Sequence, residues 1–171
     1  MPDALAVALA YVNRRERTVA EVEAKLRASG FDGPELDAAI AELIELGSLD
    51  DRRYARLFVE DKRALEGWGR ERIARGLAER GIASDLIAHT LTAVDADDEL
   101  TELERAVELL GRRFPGGPAT DRDRERAYGF LARKGYGSEV AADAVRAWRR
   151  TEPGGQALRT PGAGTTMDVS E

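Results

Sequence analysis

Residues 77–94 read LAERGIASDLIAHTLTAV. Leu77 stands four residues before Gly81, the large apolar Ile82 follows it, and Ile87, Leu91 and Val94 lie 6, 10 and 13 residues beyond the glycine. The same order recurs around Gly30, with Leu26, Phe31, Leu36, Ile40 and Leu43, and around Gly135, with Leu131, Tyr136, Ala141, Val145 and Trp148. The glycines are 51 and 54 residues apart. Apolar residues three and four apart form one helical face, and Gly just past such a run is a left-handed stop. Recurrence at this period marks tandem modules. The chain is therefore expected to be all-α, an elongated array of three tandem three-helix (helix-turn-helix-like) repeats at residues 1–49, 50–95 and 96–150. Past Thr151 there is Gly, Pro and Thr with little apolar residue, so 151–171 is expected to be a disordered tail.

Working outward, the first module opens with a helix over Ala4–Arg15, whose Leu5, Ala8, Leu9 and Val12 share a face. Thr18-Val19-Ala20-Glu21 reads as a capping box for a helix that turns Val22 and Leu26 inward and stops at Gly30. Pro34 suits the first turn of the third helix, which runs to about Leu46. In the second module Asp50 or Asp51 caps a helix carrying Tyr54, Leu57, Phe58 and Leu65, and Gly67 ends it. Gly69 is the next N-cap, with Trp68 and Ile73 placed as a hydrophobic staple. Ser84 caps the helix that buries Leu86 or Ile87. The third module opens with an acidic helix over Asp97–Arg113, with Leu100, Leu103, Val107 and Leu110 inward. The loop Phe114-Pro115-Gly116-Gly117-Pro118 follows. A short helix then carries Ala127, Phe130 and Leu131, and the last runs from Ser138 to Arg149.

Composition narrows the function classes. The absence of Cys excludes thiolate zinc sites and Cys nucleophiles, and the single His89 leaves no His-pair metal site. No Gly-rich phosphate loop or dinucleotide fingerprint occurs. A non-enzyme without cofactor or metal is expected, and any effect on nucleotide hydrolysis would act on another protein's ATPase. No apolar run approaches the roughly 18 residues that span a bilayer, and Asp3 stands where a secretory leader carries basic residues. A soluble, cytoplasmic monomer is expected. The net charge of −6 hides alternating blocks: net −5 over 1–50, +3 over 51–82, −7 over 83–110 and +5 over 111–150. Such blocks suit a partner that is itself patterned in charge.

Most conspicuous residues have ordinary readings. His89 falls on a solvent side, Asp95–Glu104 reads as a solvated acidic face, and Tyr54, Phe58, Trp68 and Trp148 read as packing residues. The cations of the second module leave two readings open. Arg52, Arg53, Arg56, Lys62 and Arg63, then Arg70, Arg72, Arg75 and Arg80, either form a solvated face with pairs such as Glu71–Arg75 or contact phosphates or an acidic protein surface.

The stretch DDRRYARLFVEDKRALEGWGRERIARGLAERGI, residues 50–82, resembles the signature of the RecX family of bacterial recombination regulators. Asp51, Arg53, Tyr54, Ala55, Phe58, Gly67, Gly69, Ile73, Leu77, Gly81 and Ile82 stand at matching positions. The run from Arg14-Arg15 through Thr18, Glu21, Val22, Lys25 and Leu26 to Gly30-Phe31 resembles that family's opening repeat. The resemblance spans roughly residues 5–94, and the third module shares its periodicity. It implies a modulator that binds the RecA recombinase filament on single-stranded DNA and inhibits its ATPase, extension and strand exchange. Contacts are then expected from Arg53, Arg56, Lys62, Arg63, Arg70, Arg72 and Arg75, to RecA or to single-stranded DNA, directly or through RecA. The competing readings are a helix-turn-helix protein acting on duplex DNA and an interaction solenoid unrelated to DNA.

Overall fold

The computed structural model describes residues 3–149, and the expected tail at 151–171 lies outside them. Among the described residues there are nine helices and no strand. They are α1 (Ala4–Val12), α2 (Val19–Ala28), α3 (Gly33–Glu45), α4 (Asp51–Glu66), α5 (Arg70–Ala78), α6 (Ser84–Asp97), α7 (Glu102–Arg113), α8 (Asp121–Lys134) and α9 (Ser138–Ala147).

The recurring Leu–Gly–apolar signature has one physical cause. Gly30, Gly81 and Gly135 have φ of 90°, 78° and 87° and close the second helix of each unit. The N–H of Phe31 donates to the Leu26 carbonyl at 3.1 Å, that of Ile82 to Leu77 at 3.2 Å, and that of Tyr136 to Leu131 at 3.1 Å. This six-to-one bond, with apolar residues at both ends, is the Schellman closure. Leu26, Leu77 and Leu131 are all fully buried. The residues 6, 10 and 13 beyond each glycine are buried too. Three separate cores result, one from α1–α3, one from α4–α6 and one from α7–α9.

Several local expectations need correction. α1 ends at Val12, and its buried positions are Ala4 and Ala8, with Leu5, Leu9 and Val12 only half-buried. Small residues at the contact line let α1 lie close to its neighbours. On α4 the buried stripe is Ala55, Phe58 and Val59, while Leu57 and Leu65 point outward. Ala83, not Ser84, is the N-cap of α6. The acidic helix expected from Asp97 is two pieces: α6 continues to Asp97, and α7 begins at Glu102 behind a capping box of Thr101 and Glu104. α8 spans 14 residues, opened by a third capping box, Thr120 with Asp123.

The units meet through helix ends. The Lys134 carbonyl accepts the Gly69 N–H at 2.8 Å, and the Gly135 carbonyl accepts the Glu71 N–H at 3.0 Å. The C-terminus of α8 thus caps the N-terminus of α5. The junction repeats one module earlier, where Thr18 Oγ1 at the start of α2 donates to the Arg80 carbonyl at the end of α5, 2.7 Å away. The three second helices follow one another end to start, so unlike dipole ends meet.

Candidate partner-binding surface

The start of α5 decides where the basic residues of the second module go. A Cβ on Gly69 would lie 2.5 Å from the Gly135 carbonyl oxygen, and one on Gly135 would lie 2.2 Å from Arg72 Cβ. Two glycines therefore let α5 and α8 touch by their backbones. That approach sets Arg72 and Arg75 of α5 beside Arg133 of α8.

The result is a cleft of about 550 Å³ lined by Trp68, Arg72, Arg75, Gly76, Glu79, Arg80, Ala132, Arg133 and Gly135. Arg72 lies 4.2 Å over the Trp68 ring and donates from Nη1 to the Arg133 carbonyl at 2.9 Å. Lys62 approaches the same ring to 4.8 Å. Arg80 lies 4.8 Å over Phe58 and donates to the Gly76 carbonyl. Among the described residues, neither Arg75 nor Arg133 forms an ion pair, and Glu79 is the one acid in the cleft wall. Four guanidinium groups facing one acid make a site for oxyanions, since the planar fork pairs with phosphate or carboxylate in two parallel bonds. With two cations already over Trp68, stacking a base on that ring would require displacing one of them.

The remaining expected contacts are dispersed. Arg53 reaches back to the first unit, donating to the Gly47 carbonyl at 3.0 Å and to Glu16 at 3.3 Å. Arg56 pairs with Asp97 at 3.0 Å and Glu60 at 2.9 Å, and these carboxylates hold its guanidinium above the ordinary arginine value, Asp97 foremost. Lys62 pairs with Glu66, whose carboxyl this bond holds below the usual range.

Arg63 and Arg70 face inward to a network. Arg63 is 8% exposed and pairs with Asp95 and, at 3.6 Å, with Asp98. Arg70 pairs with Asp95, and its backbone N–H donates to Glu102 at 2.9 Å. Arg105 completes the cluster, donating to Asp98 at 2.7 Å, to the Leu100 carbonyl at 2.6 Å and to Asp95 at 3.3 Å. The stretch read as a solvated acidic face is thus in large part the counter-charge of these arginines, and it ties α4 and α5 to α7. The compensating charge blocks at 51–82 and 83–110 were the available signal for it. Arg133 was missed because its partner on α5, Arg72, lies 61 residues away along the chain. Asp95 to Glu104 includes no group of acids or histidines arranged to hold a metal, and none is found elsewhere among the described residues. Nor is any helix among them long and apolar enough to cross a membrane.

Comparison with known proteins gives a consistent result. Residues 4–43, 50–91 and 101–145 match the models of the first, second and third three-helix domains of RecX. The match at 101–145 extends to the third unit a likeness that the residues alone carried only to about Val94. The chain is 34% identical over 149 residues to the regulatory protein RecX of Mycolicibacterium vanbaalenii, covering 84% of this chain and 81% of the relative. It is 35% identical over 142 residues to that of Deinococcus radiodurans, covering 83% and 66%. The crystal structure of RecX from Lactobacillus salivarius superposes with a TM-score of 0.71 at 22% identity, over 84% of this chain and 93% of that one.

Proposed function

The chain belongs to the RecX family of regulatory proteins, and from that premise we propose that it binds the RecA filament on single-stranded DNA and inhibits its ATPase, extension and strand exchange. It acts without catalysing a reaction, in the cytoplasm, as a monomer laid along the filament. One observation supports the reading most: the arginine cleft lies at the joint between the second and third units, so a ligand in it touches both. A target that is itself a repeating polyanion-bearing fibre matches such a site. Within the expected contact set, Arg72 and Arg75 face the target directly, joined by Arg80 and Arg133. Arg53, Arg56, Lys62 and Arg70 lie outside the cleft wall and are already paired with acids. Arg63 serves the joint.

The test is RecA-dependent ATP hydrolysis on single-stranded DNA with this protein titrated in. Hydrolysis should fall as the protein approaches stoichiometry with the filament, and the protein should co-sediment with filaments more than with naked single strands. Unchanged hydrolysis at stoichiometric protein would refute the reading. Protection of a defined duplex site without RecA would favour the helix-turn-helix alternative.

A further inference from the structure

Leu65 of α4 is 81% exposed. It borders a second groove, of about 640 Å³, which shares no wall residue with the arginine cleft. Leu109 and Phe130 supply its apolar wall, and Arg112, Arg113 and Lys134 its charge. The two grooves diverge at α8, where Arg133 turns to one and Lys134 to the other. Among the described residues, the only acid in the wall of the second groove is Glu66, already paired with Lys62. Among the described residues Arg112 has one distant partner, Glu108 at 3.8 Å, and Arg113 lies 5.0 Å over Phe114. Lys134 donates to the Glu66 carbonyl.

We propose that this groove is a protein-docking site, taking an acidic segment of the filament protein whose large apolar side chain covers Leu65. The proposal rests on the regulatory reading above and assigns the protein contact to a surface distinct from the arginine cleft. A nucleic-acid backbone would satisfy the three cations but leave Leu65, Leu109 and Phe130 against water. A purely apolar partner would desolvate the cations without compensation. An acidic segment with an apolar residue answers both, in the arrangement of an apolar anchor with a charged rim.

Leu65 is exposed, so its replacement leaves the three cores intact. The chain has no Cys, so Leu65→Cys accepts a single environment-sensitive fluorophore. RecA filaments should shield that label and naked single-stranded DNA should not. Leu65→Asp should raise the concentration for half-inhibition of RecA by about tenfold, the loss of one anchoring contact. Equal shielding by naked DNA would overturn the assignment. So would shielding in the free protein that Asp168→Lys with Glu171→Lys relieves, which would name the chain's own C-terminal residues as occupant. Shielding that grows with protein concentration would name a second copy and overturn it too. Unaltered inhibition by Leu65→Asp beside an inhibitory wild type refutes this site alone, whereas a wild type that neither inhibits nor is shielded refutes both readings.

Discussion

At the scale of single residues, Gly30, Gly81 and Gly135 separate two costs that usually travel together. All three hold positive φ, so replacement by Ala pays the left-handed penalty of roughly 1–2 kcal/mol at each. They differ in surroundings. A Cβ on Gly30 meets nothing within 4 Å, on Gly81 it lies 2.3 Å from Ala20 Cβ, and on Gly135 it lies 2.2 Å from Arg72 Cβ. Gly30→Ala should therefore show the backbone penalty alone, and Gly81→Ala and Gly135→Ala a further loss of about 1–3 kcal/mol from overpacking. Denaturant unfolding measures the difference, and Ala20→Gly should return part of it to Gly81→Ala but none to Gly30→Ala. The left-handed stop was legible from the residue order. The steric role was not, because Ala20 and Arg72 lie about 60 residues from the glycines they touch. Asp51 offers a second residue-scale test. Its carboxylate accepts the Val19 N–H at 2.9 Å across the first junction, and burial pushes its pKa up. The folded state then holds this proton more tightly than the unfolded state, so the group's contribution to stability falls as pH rises from the unfolded value through the raised one. Asp51→Asn keeps the acceptor and removes the buried charge. Its melting temperature should exceed that of the wild type at neutral pH, and the gain should shrink as pH falls through the raised folded value toward the ordinary carboxylate range, because the wild-type carboxyl protonates first in the folded state.

At the scale of elements, the joint between the second and third units depends on backbone contact and on ion pairs, because each apolar core is closed by its own three helices. Removing one member of a buried pair strands the other charge, which costs about 3–5 kcal/mol when both are fully enclosed. Asp95 is 36% exposed and keeps Arg70 and Arg105, so solvent screening reduces the expected loss for Arg63→Met to about 2 kcal/mol. Thermal unfolding checks the loss, and high salt should narrow the gap between variant and wild type. A variant as stable as the wild type would show that the network orients the units without stabilising them. Apolar periodicity could not reveal this network, since it registers only the apolar face of α4 and assigns Arg63 to water by default. It also ran past the break between α6 and α7, because Leu100, Leu103, Val107 and Leu110 keep helical spacing across it. The Thr101–Glu104 box that starts α7 carries the same signature as Thr18–Glu21 and was the overlooked punctuation.

At the scale of the whole molecule, the net charge of −6 is a poor guide to what the surface offers. The acids concentrated in 83–110 neutralise Arg63, Arg70 and Arg105 at the joint, which leaves the arginine cleft as a place where positive charge meets solvent with little compensation. Stability and binding should therefore respond to different arginines. Arg75→Ala and Arg133→Ala remove cations that form no ion pair among the described residues, so their melting temperatures should stay within a degree or two of the wild type. Their affinity for RecA filaments should fall instead. If the cleft meets nucleic-acid phosphates within the filament, the slope of log affinity against log salt should shallow by about 0.7 for each arginine removed, the single-strand value. If it meets carboxylates of the filament protein, affinity should fall with a smaller change in slope. Arg63→Met should do the reverse, lowering the melting temperature while leaving the salt slope unchanged. Sedimentation with filaments over a salt series, set beside thermal melts of the same variants, distinguishes these outcomes. Identical affinities and identical slopes for the wild type and Arg75→Ala/Arg133→Ala would remove the cleft from the binding surface.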